Sequence, residues 1–416
     1  MQTNLAEWIK DTPAGKEADA ILRMCVHCGF CTATCPTYQL LGDELDGPRG
    51  RIYLMKQMLE GNVVTKKTQL HLDRCLTCRS CETTCPSGVR YGRLVDIGRA
   101  VVEEKVGRGP WEGFKRRFLN WSLTSGTPFA TAVAVGRAMR PLLPSTLKRK
   151  LAPRVAPGTW PAFEPSRHAR RMLVLQGCVQ PSLLPRIDAA TARVLDRIGI
   201  ALERAPGSGC CGAVSHHLDF HDDALAFVKR NIDAWWPEVE QGAEAIVVTA
   251  SGCGVMVKDY GHLLRDDPAY ADKAAKISAL ARDVSEVIAA EWERIRPLLP
   301  AADAPPKIAF HSPCTLQHGL KIKGGVERLL ADLGYALTPV ADAHLCCGSA
   351  GTYSILQPEL SEQLKTNKLA ALTAGAPAVI ASANVGCITH LQGGTDLPVR
   401  HWIELLDERL AATDRH

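Results

Sequence analysis

The alternation of apolar and polar positions divides the chain, and its second half is the most regular part. There, short runs rich in β-branched residues alternate with stretches of helical period. "RRMLVLQGC" ends at Cys178, followed by "IDAATARVLDRIG", "DALAFVKRNIDAWW" and a second apolar run, "AEAIVVTASGC", which ends at Cys253. The same order returns as "PKIAFHSPC" to Cys314, "GGVERLLADLG", "PELSEQLKTNKLAALTAG" and "APAVIASANVGC" to Cys387. Strand-length runs alternating with helical ones predict β-α units around a parallel sheet, one sheet for each copy. Ligands of such sheets gather beyond the carboxyl ends of the strands. Both apolar runs of each copy end there in a cysteine.

The repeat holds to the residue. Cys314 follows Cys178 by 136 positions, the adjacent pair Cys346 and Cys347 follows Cys210 and Cys211 by 136, and Cys387 follows Cys253 by 134. Two α/β domains, over 169–300 and 305–412, are therefore expected, each with four cysteines converging at one sheet edge. Neighbouring cysteines make strained disulfides with each other, so the pairs need another role. The quartets Cys178, Cys210, Cys211, Cys253 and Cys314, Cys346, Cys347, Cys387 suit zinc or an iron–sulfur centre by softness. Thiol redox chemistry within each quartet is the other reading. "GSGCCG" also matches GxGxxG through Gly207, Gly209 and Gly212, but it follows a helix rather than the first strand, which argues against a dinucleotide.

Residues 1–106 carry a different repeat. "CVHCGFCTATCP" supplies Cys25, Cys28, Cys31 and Cys35, and "CLTCRSCETTCP" supplies Cys75, Cys78, Cys81 and Cys85. Gaps of two, two and three residues followed by proline are the spacing that holds [4Fe–4S] clusters, and in two-cluster proteins the fourth cysteine serves the other cluster. One cluster is thus expected on Cys25, Cys28, Cys31 and Cys85, the other on Cys35, Cys75, Cys78 and Cys81. Zinc sites built from two CxxC pairs fit this spacing badly. Eight cysteines here and four in each later unit account for all 16. His27, Arg79 and Arg90 lie in or near these loops, where they either tune a cluster or are simply solvated.

Between the two halves, residues 107–168 read as a basic, proline-rich connector with short helices. From Lys105 to Arg171 the chain carries 14 Lys or Arg against Glu112 and Glu164, a balance of +12 that leaves −7 for the rest of a chain whose total is +5. Trp111, Phe114, Phe118, Trp121 and Phe129 are interleaved with those charges. This composition suits a solvated linker, an acidic partner or an anionic lipid surface. No recognition motif accompanies the charge, so nucleic acid is not expected.

A chain of 416 residues with 46% hydrophobic content is a multidomain globular protein, too long to be a disulfide-stapled secreted scaffold. Its first residues lack a secretory pattern and no run is long and apolar enough to span a bilayer. Reduced, metal-binding cysteines in the cytoplasm are expected, with peripheral contact to the inner face of the cell membrane.

Five segments carry a resemblance: "CVHCGFCTATCPTYQLLGDELDGPRGRIYL", "HLDRCLTCRSCETTCPSGVRYG", "RNIDAWWP", "HLCCGSAGTYS" and "VRHWIELLD". They resemble the family of iron–sulfur subunits of bacterial glycolate oxidase, in which an α-helical dicluster ferredoxin domain precedes a duplicated, Rossmann-like CCG cysteine-rich domain. The resemblance implies an electron-transfer subunit that binds no substrate and has no catalytic residue of its own. Two flavin-carrying partner subunits would oxidise glycolate to glyoxylate, and D-lactate as well, and electrons would pass through two [4Fe–4S] clusters towards a membrane quinone. No flavin is expected in this chain. The iron–sulfur subunit of an anaerobic glycerol-3-phosphate or lactate dehydrogenase is a near alternative, a disulfide reductase working at the cysteine pairs a further one, and a redox sensor a third. Relatives among the heterodisulfide reductases end each unit in CxxC and build a five-cysteine non-cubane cluster. Here Met256 and His390 stand at those final positions, leaving four cysteines per unit, with His390 as an added candidate ligand.

Overall fold

A computed structural model describes residues 1–142, 148, 156–300 and 305–413. The stretches 143–147 and 149–155 of the expected connector, and residues 301–304, lie outside the described residues.

The amino-terminal part is helical. Helix α1, Pro13–Met24, starts where the Thr12 side chain accepts from the Gly15 amide, a side-chain cap on an otherwise free donor. Its apolar positions Ala18, Ile21 and Leu22 face inward, spaced for one helical stripe. Short helix α2 (Pro36–Leu41) follows the first cysteine loop and short helix α5 (Ser80–Thr84) lies within the second, with α3 (Pro48–Leu59) and α4 (Lys66–Asp73) between them. Helix α6, Tyr91–Val106, closes the core with Leu94, Val95, Val101 and Val102 against Met55, Leu59 and Leu72. The approach of α3 and α6 is close: a Cβ on Gly98 would come within 2.5 Å of the Met55 sulfur.

The second half holds two parallel sheets, as the apolar runs predict. In the first unit β1 (Arg170–Val174), β2 (Ile200–Glu203), β3 (Ile246–Val248) and β4 (Ala281–Asp283) form a sheet of order β2-β1-β3-β4. In the second unit β5 (Ile308–His311), β6 (Val379–Ser382) and β7 (Val399–His401) lie in the order β5-β6-β7. All these pairings are parallel, with Leu173 beside Ile246 and Ile308 beside Val379. The units are not separate bodies. One apolar core runs through both, from Val174 and Leu195 to Ile380 and Trp402. Arg193 in helix Arg186–Asp196 pairs with Asp407 at 2.6 Å, and His401 Nε2 lies 2.9 Å from the Thr249 carbonyl.

The connector is more ordered than its composition suggests. It forms two full helices, α7 (Pro110–Thr124) and α8 (Gly126–Ala138). Arg108 reaches back to Asp73, to Glu103 at 2.6 Å and to Glu112 at 2.8 Å, and Arg116 meets Asp73 at 3.3 Å. Part of the local positive charge is therefore neutralised inside the fold. Asn120 donates to Asp223 and accepts from Ser215, both at 2.7 Å, which fastens α7 to the first unit. Among the described residues no helix is long and apolar enough to cross a membrane.

Candidate metal centres

The two ferredoxin loops share one backbone design. His27 and Gly29 flank Cys28 with φ of 60° and 85°, and Thr77 and Arg79 flank Cys78 with φ of 51° and 59°. Left-handed residues alternating with the cysteines turn three successive sulfurs to one side. Pro36 then starts α2 directly after Cys35, its fixed φ suited to a first helical position, and carries that fourth sulfur away from its own loop.

Two cavities receive these sulfurs. Cys25, Cys28, Cys31 and Cys85 line a space of about 440 Å³, partly open to solvent, with Cys81 on its wall. Cys35, Cys75, Cys78 and Cys81 line a second space of about 310 Å³. The fourth cysteine of each run thus stands with the first three of the other. Burial and then the Cys25 sulfur push the Cys31 thiol up to about 11. Four converging thiols are what a cationic iron core would ionise and bind, so the donor set fits a cluster in each cavity, with Arg49 on the wall of the first and Arg51 and Arg79 on that of the second.

A buried charge network stands against the second cavity. Arg51, 1% exposed, donates to the His71 carbonyl at 2.7 Å, to Thr37 Oγ1 at 3.1 Å and to Asp46 Oδ1 at 3.3 Å. Asp46 also meets Arg74 at 2.8 Å and His71 Nδ1 at 3.0 Å. Burial opposes the Arg51 charge, but the Cys75, Tyr91, Cys35 and Asp46 side chains hold its pKa above the ordinary value. Arg99 donates to the Cys75 carbonyl at 2.7 Å and the Tyr91 hydroxyl to Cys75 Sγ at 3.6 Å. Of the charged residues singled out in the loops, Arg79 instead pairs with Asp259 of the first unit at 3.3 Å, beside Arg93 at 2.7 Å. His27 Nδ1 lies 3.2 Å from the Met1 sulfur, and Arg90 is exposed. Arg51, Asp46 and Arg99 sit in helices or turns without motif spacing, so nothing in the sequence marked them.

Each later unit brings its quartet together. In the first, Cys178 follows β1, Cys210 and Cys211 lie in the loop before helix Ala213–His217, and Cys253 is in the first turn of helix Ser251–Lys258. Hydrogen bonds from Cys178 and Cys211 draw the Cys210 thiol down to about 4, while the Cys178 and Cys211 thiols move well up. The pair is fixed from behind: Asn231 Nδ2 donates to the Cys210 carbonyl at 2.8 Å and the Tyr260 hydroxyl to the Cys211 carbonyl at 2.9 Å. In the second unit Cys314 Sγ and Cys346 Sγ are 3.8 Å apart, and Cys347 contacts both Cys346 and Cys387. Asn384 Nδ2 donates to Cys387 Sγ at 3.4 Å.

The glycine after each pair has two tasks. The amides of Gly212 and Gly348 donate to Cys210 Sγ and Cys346 Sγ, each at 3.4 Å. Their φ values are +90° and +88°. A Cβ on Gly212 would lie 3.0 Å from the Ala224 carbonyl oxygen, and one on Gly348 only 2.6 Å from that of Ser361.

The ferredoxin loops and the second quartet meet. Leu76, Cys78, Cys314, Cys346, Tyr353 and Leu364 belong to one apolar cluster. Loss of solvent and then the Cys314 sulfur raise the Cys78 thiol well above its ordinary value. The Tyr353 hydroxyl donates to the Arg74 carbonyl at 3.1 Å, and Thr83 Oγ1 lies 2.8 Å from His318 Nδ1.

Residues 21–89 match the 4Fe–4S dicluster domain family, and 172–258 and 308–392 match the CCG cysteine-rich domain. The chain is 55% identical to the glycolate oxidase iron-sulfur subunit of Escherichia coli K12, over 99% of both chains. The chain belongs to the glycolate oxidase iron–sulfur subunit family. It is also 29% identical to a probable glycolate oxidase iron-sulfur subunit of Bacillus subtilis 168, over 89% of this chain and 88% of that one. Lactate utilization protein A of an Exiguobacterium strain is 27% identical over 56% of this chain and 94% of its own length. Family membership makes the chain an iron–sulfur subunit of an oxidoreductase complex, with an electron-transfer role.

At the two positions where a CxxC ending is absent, Met256 is buried at 5% exposure, and His390 Nε2 meets Ser361 Oγ at 3.3 Å. The histidine nitrogen that groups with thiols is another one. A ring nitrogen of His311 and the sulfurs of Cys347 and Cys387 lie within 4.8 Å of one another. Comparing the two repeats was the available clue, because His311 stands 136 positions after Leu175.

Proposed function

We propose that the chain is the electron relay of a flavin-dependent glycolate oxidase, taking electrons from two flavin-carrying subunits and delivering them towards a quinone. Glycolate and D-lactate are oxidised on those partners, and this chain handles no substrate. Cys25, Cys28, Cys31 and Cys85 hold one [4Fe–4S] cluster, and Cys35, Cys75, Cys78 and Cys81 the other. When bound, such clusters supply one-electron centres whose potentials follow charge, hydrogen bonding and exposure. The quartet Cys178, Cys210, Cys211, Cys253 holds further metal, and so do cysteines of the quartet Cys314, Cys346, Cys347, Cys387.

One observation carries this reading: the sulfurs form a continuous line. It starts at exposed Cys28, passes Cys81 on the wall shared by both cavities, and reaches Cys314 and Cys346 beside Cys78. Val26 and Phe30 are exposed at the outer end, where a partner's redox group can approach. Leu76 and Tyr353 cover the inner end and exclude water. Arg51 and Arg99 supply fixed positive charge beside Cys75.

We also infer peripheral attachment to the inner face of the cell membrane through α7. Trp111, Phe114, Phe118 and Trp121 form an exposed stripe of neighbouring rings, the first three stacked in sequence and Trp121 tilted against Phe118, with Lys115 and Arg117 beside it. Aromatic and basic residues on one helix suit an anionic lipid interface.

Affinity purification from the native host tests the relay. Flavoprotein partners should co-purify, and glycolate should reduce the clusters of the complex. Recovery of no flavoprotein, or of one that oxidises only glycerol 3-phosphate, refutes it.

A further inference from the structure

The two cysteine-rich units are alike in their sulfurs and different in one buried nitrogen. His311, at the end of β5, is 2% exposed. Its Nδ1 lies 2.9 Å from Ser382 Oγ, and that hydroxyl gives its only proton to the His311 carbonyl at 3.1 Å. With that proton on the carbonyl, Nδ1 is the donor to Ser382 and Nε2 is left as a bare lone pair. Nε2 is buried and, among the described residues, has no hydrogen-bond partner. A buried acceptor left unsatisfied costs about 1–3 kcal/mol, so a cation in contact with it is the physical remedy. The sulfurs of Cys347 and Cys387 are the groups it stands with. A histidine whose second nitrogen donates to a fixed oxygen is already in the tautomer and orientation of a metal ligand.

We infer that the second unit is a mixed thiolate–imidazole metal site, held by Cys346, Cys347, Cys387 and His311. The first unit, with apolar Leu175 at the matching position, is an all-sulfur site. The ligand is a thiophilic, borderline metal: zinc, or the iron of an iron–sulfur centre. Three thiolates and a neutral imidazole around a divalent ion carry one net negative charge. Burial lowers the pKa of Lys368, 4% exposed, but the nearby Cys347, Cys346 and Cys314 sulfurs favour its positive charge, which would balance the site, and it donates to the Asp342 carbonyl at 2.7 Å. Cys314 is left at the end of the line that faces Cys78.

The test uses the full chain, purified anaerobically, as the parent and as His311→Leu and His311→Cys. Iron, sulfide and zinc are counted, and pulsed EPR looks for nitrogen coupling to any iron signal beyond the about eight irons of two cubanes. If the extra metal is zinc, the stripped chain is reloaded with Co²⁺ and its visible bands are recorded. The expected result is metal in the second unit with nitrogen coupling, or a Co²⁺ spectrum of three sulfurs and one nitrogen. His311→Leu then loses that metal while the ferredoxin iron stays, which shows that the fold survives. His311→Cys keeps the metal with an all-sulfur spectrum. The inference rests on the reading that this quartet binds metal, and the two fail differently. No metal beyond two cubanes overturns both. Metal that His311→Leu leaves unchanged in amount and spectrum overturns the nitrogen ligand alone.

Discussion

Replacing Gly348 with alanine should destabilise the cysteine-rich half more than the same change at Gly212. Both glycines have positive φ, a conformation that costs an L-residue about 1–2 kcal/mol. The added methyl separates them. At 348 it would sit 2.6 Å from the Ser361 carbonyl oxygen and 3.0 Å from Leu364 Cβ, both on the buried face of helix Pro358–Thr373. At 212 its nearest neighbours are 3.0 Å and 3.4 Å away, and the second is the flexible end of Met256. Overpacking of a tight site adds about 1–3 kcal/mol, and Gly348 should take the upper part of that range. At about 2–4 °C per kcal/mol for a body of 150–250 residues, Gly348→Ala should lower the melting temperature by on the order of 10 °C. Gly212→Ala should lower it by on the order of 5 °C on the same scale. Differential scanning calorimetry of the anaerobic chain measures both. A Gly348→Ala melting point within about 1 °C of the parent, or a larger loss for Gly212→Ala, would refute the steric argument.

Asp46→Ala strands Arg51 as a buried charge with its carboxylate partner gone, at a cost of about 3–5 kcal/mol, and should speed bleaching of the visible cluster absorbance in guanidinium. Adding Arg51→Met should recover most of that loss; a double variant that bleaches as fast as the single one would count against the pairing. His216 Nε2 and Asp96 Oδ2, 3.5 Å apart, join the first unit to α6. Burial alone would lower the His216 pKa, but the Asp96 hydrogen bond raises it above 6.5, with Asp219 adding to the rise and Arg93 opposing it. That stabilisation is full below the unfolded value of 6.5 and is lost as pH rises through the raised folded value. Hydrogen-exchange protection at this contact should therefore fall as pH rises above neutrality, and His216→Asn should flatten the profile; an unchanged profile in the variant sinks the idea. In flotation with anionic vesicles, Trp111→Ser with Phe118→Ser should release the chain from lipid. Equal binding by variant and parent, or no binding by the parent, removes α7 as the lipid contact.

Spacing and periodicity carried most of the architecture. The apolar runs ending at Cys178, Cys253, Cys314 and Cys387 lead to or contain β1, β3, β5 and β6, because a buried parallel strand writes itself as a short β-branched run. Strands β4 and β7 were not legible: "ARD" and "VRH" are too short and polar for such a run, and their pairing comes from neighbours already in place. In the connector a proline does not break the helix: Pro110 opens α7 at a first helical position, where proline is favoured. At the site, thiols announce themselves through spacing, whereas Arg51, Asp46 and Tyr91 act through burial, which one sequence does not display. His311 was the legible exception that needed both repeats laid side by side.

Exposure along the line of sulfurs sets an order of damage. Cys28 is open to solvent, while Cys35, Cys75 and Cys81 are buried and the second unit roofs Cys78. Oxidation of cysteine follows access, so peroxide or oxygen meets the outer group first. With one cluster in each cavity, as proposed, air exposure should therefore strip the subunit from the outside inward, and a half-damaged chain should keep its inner centre.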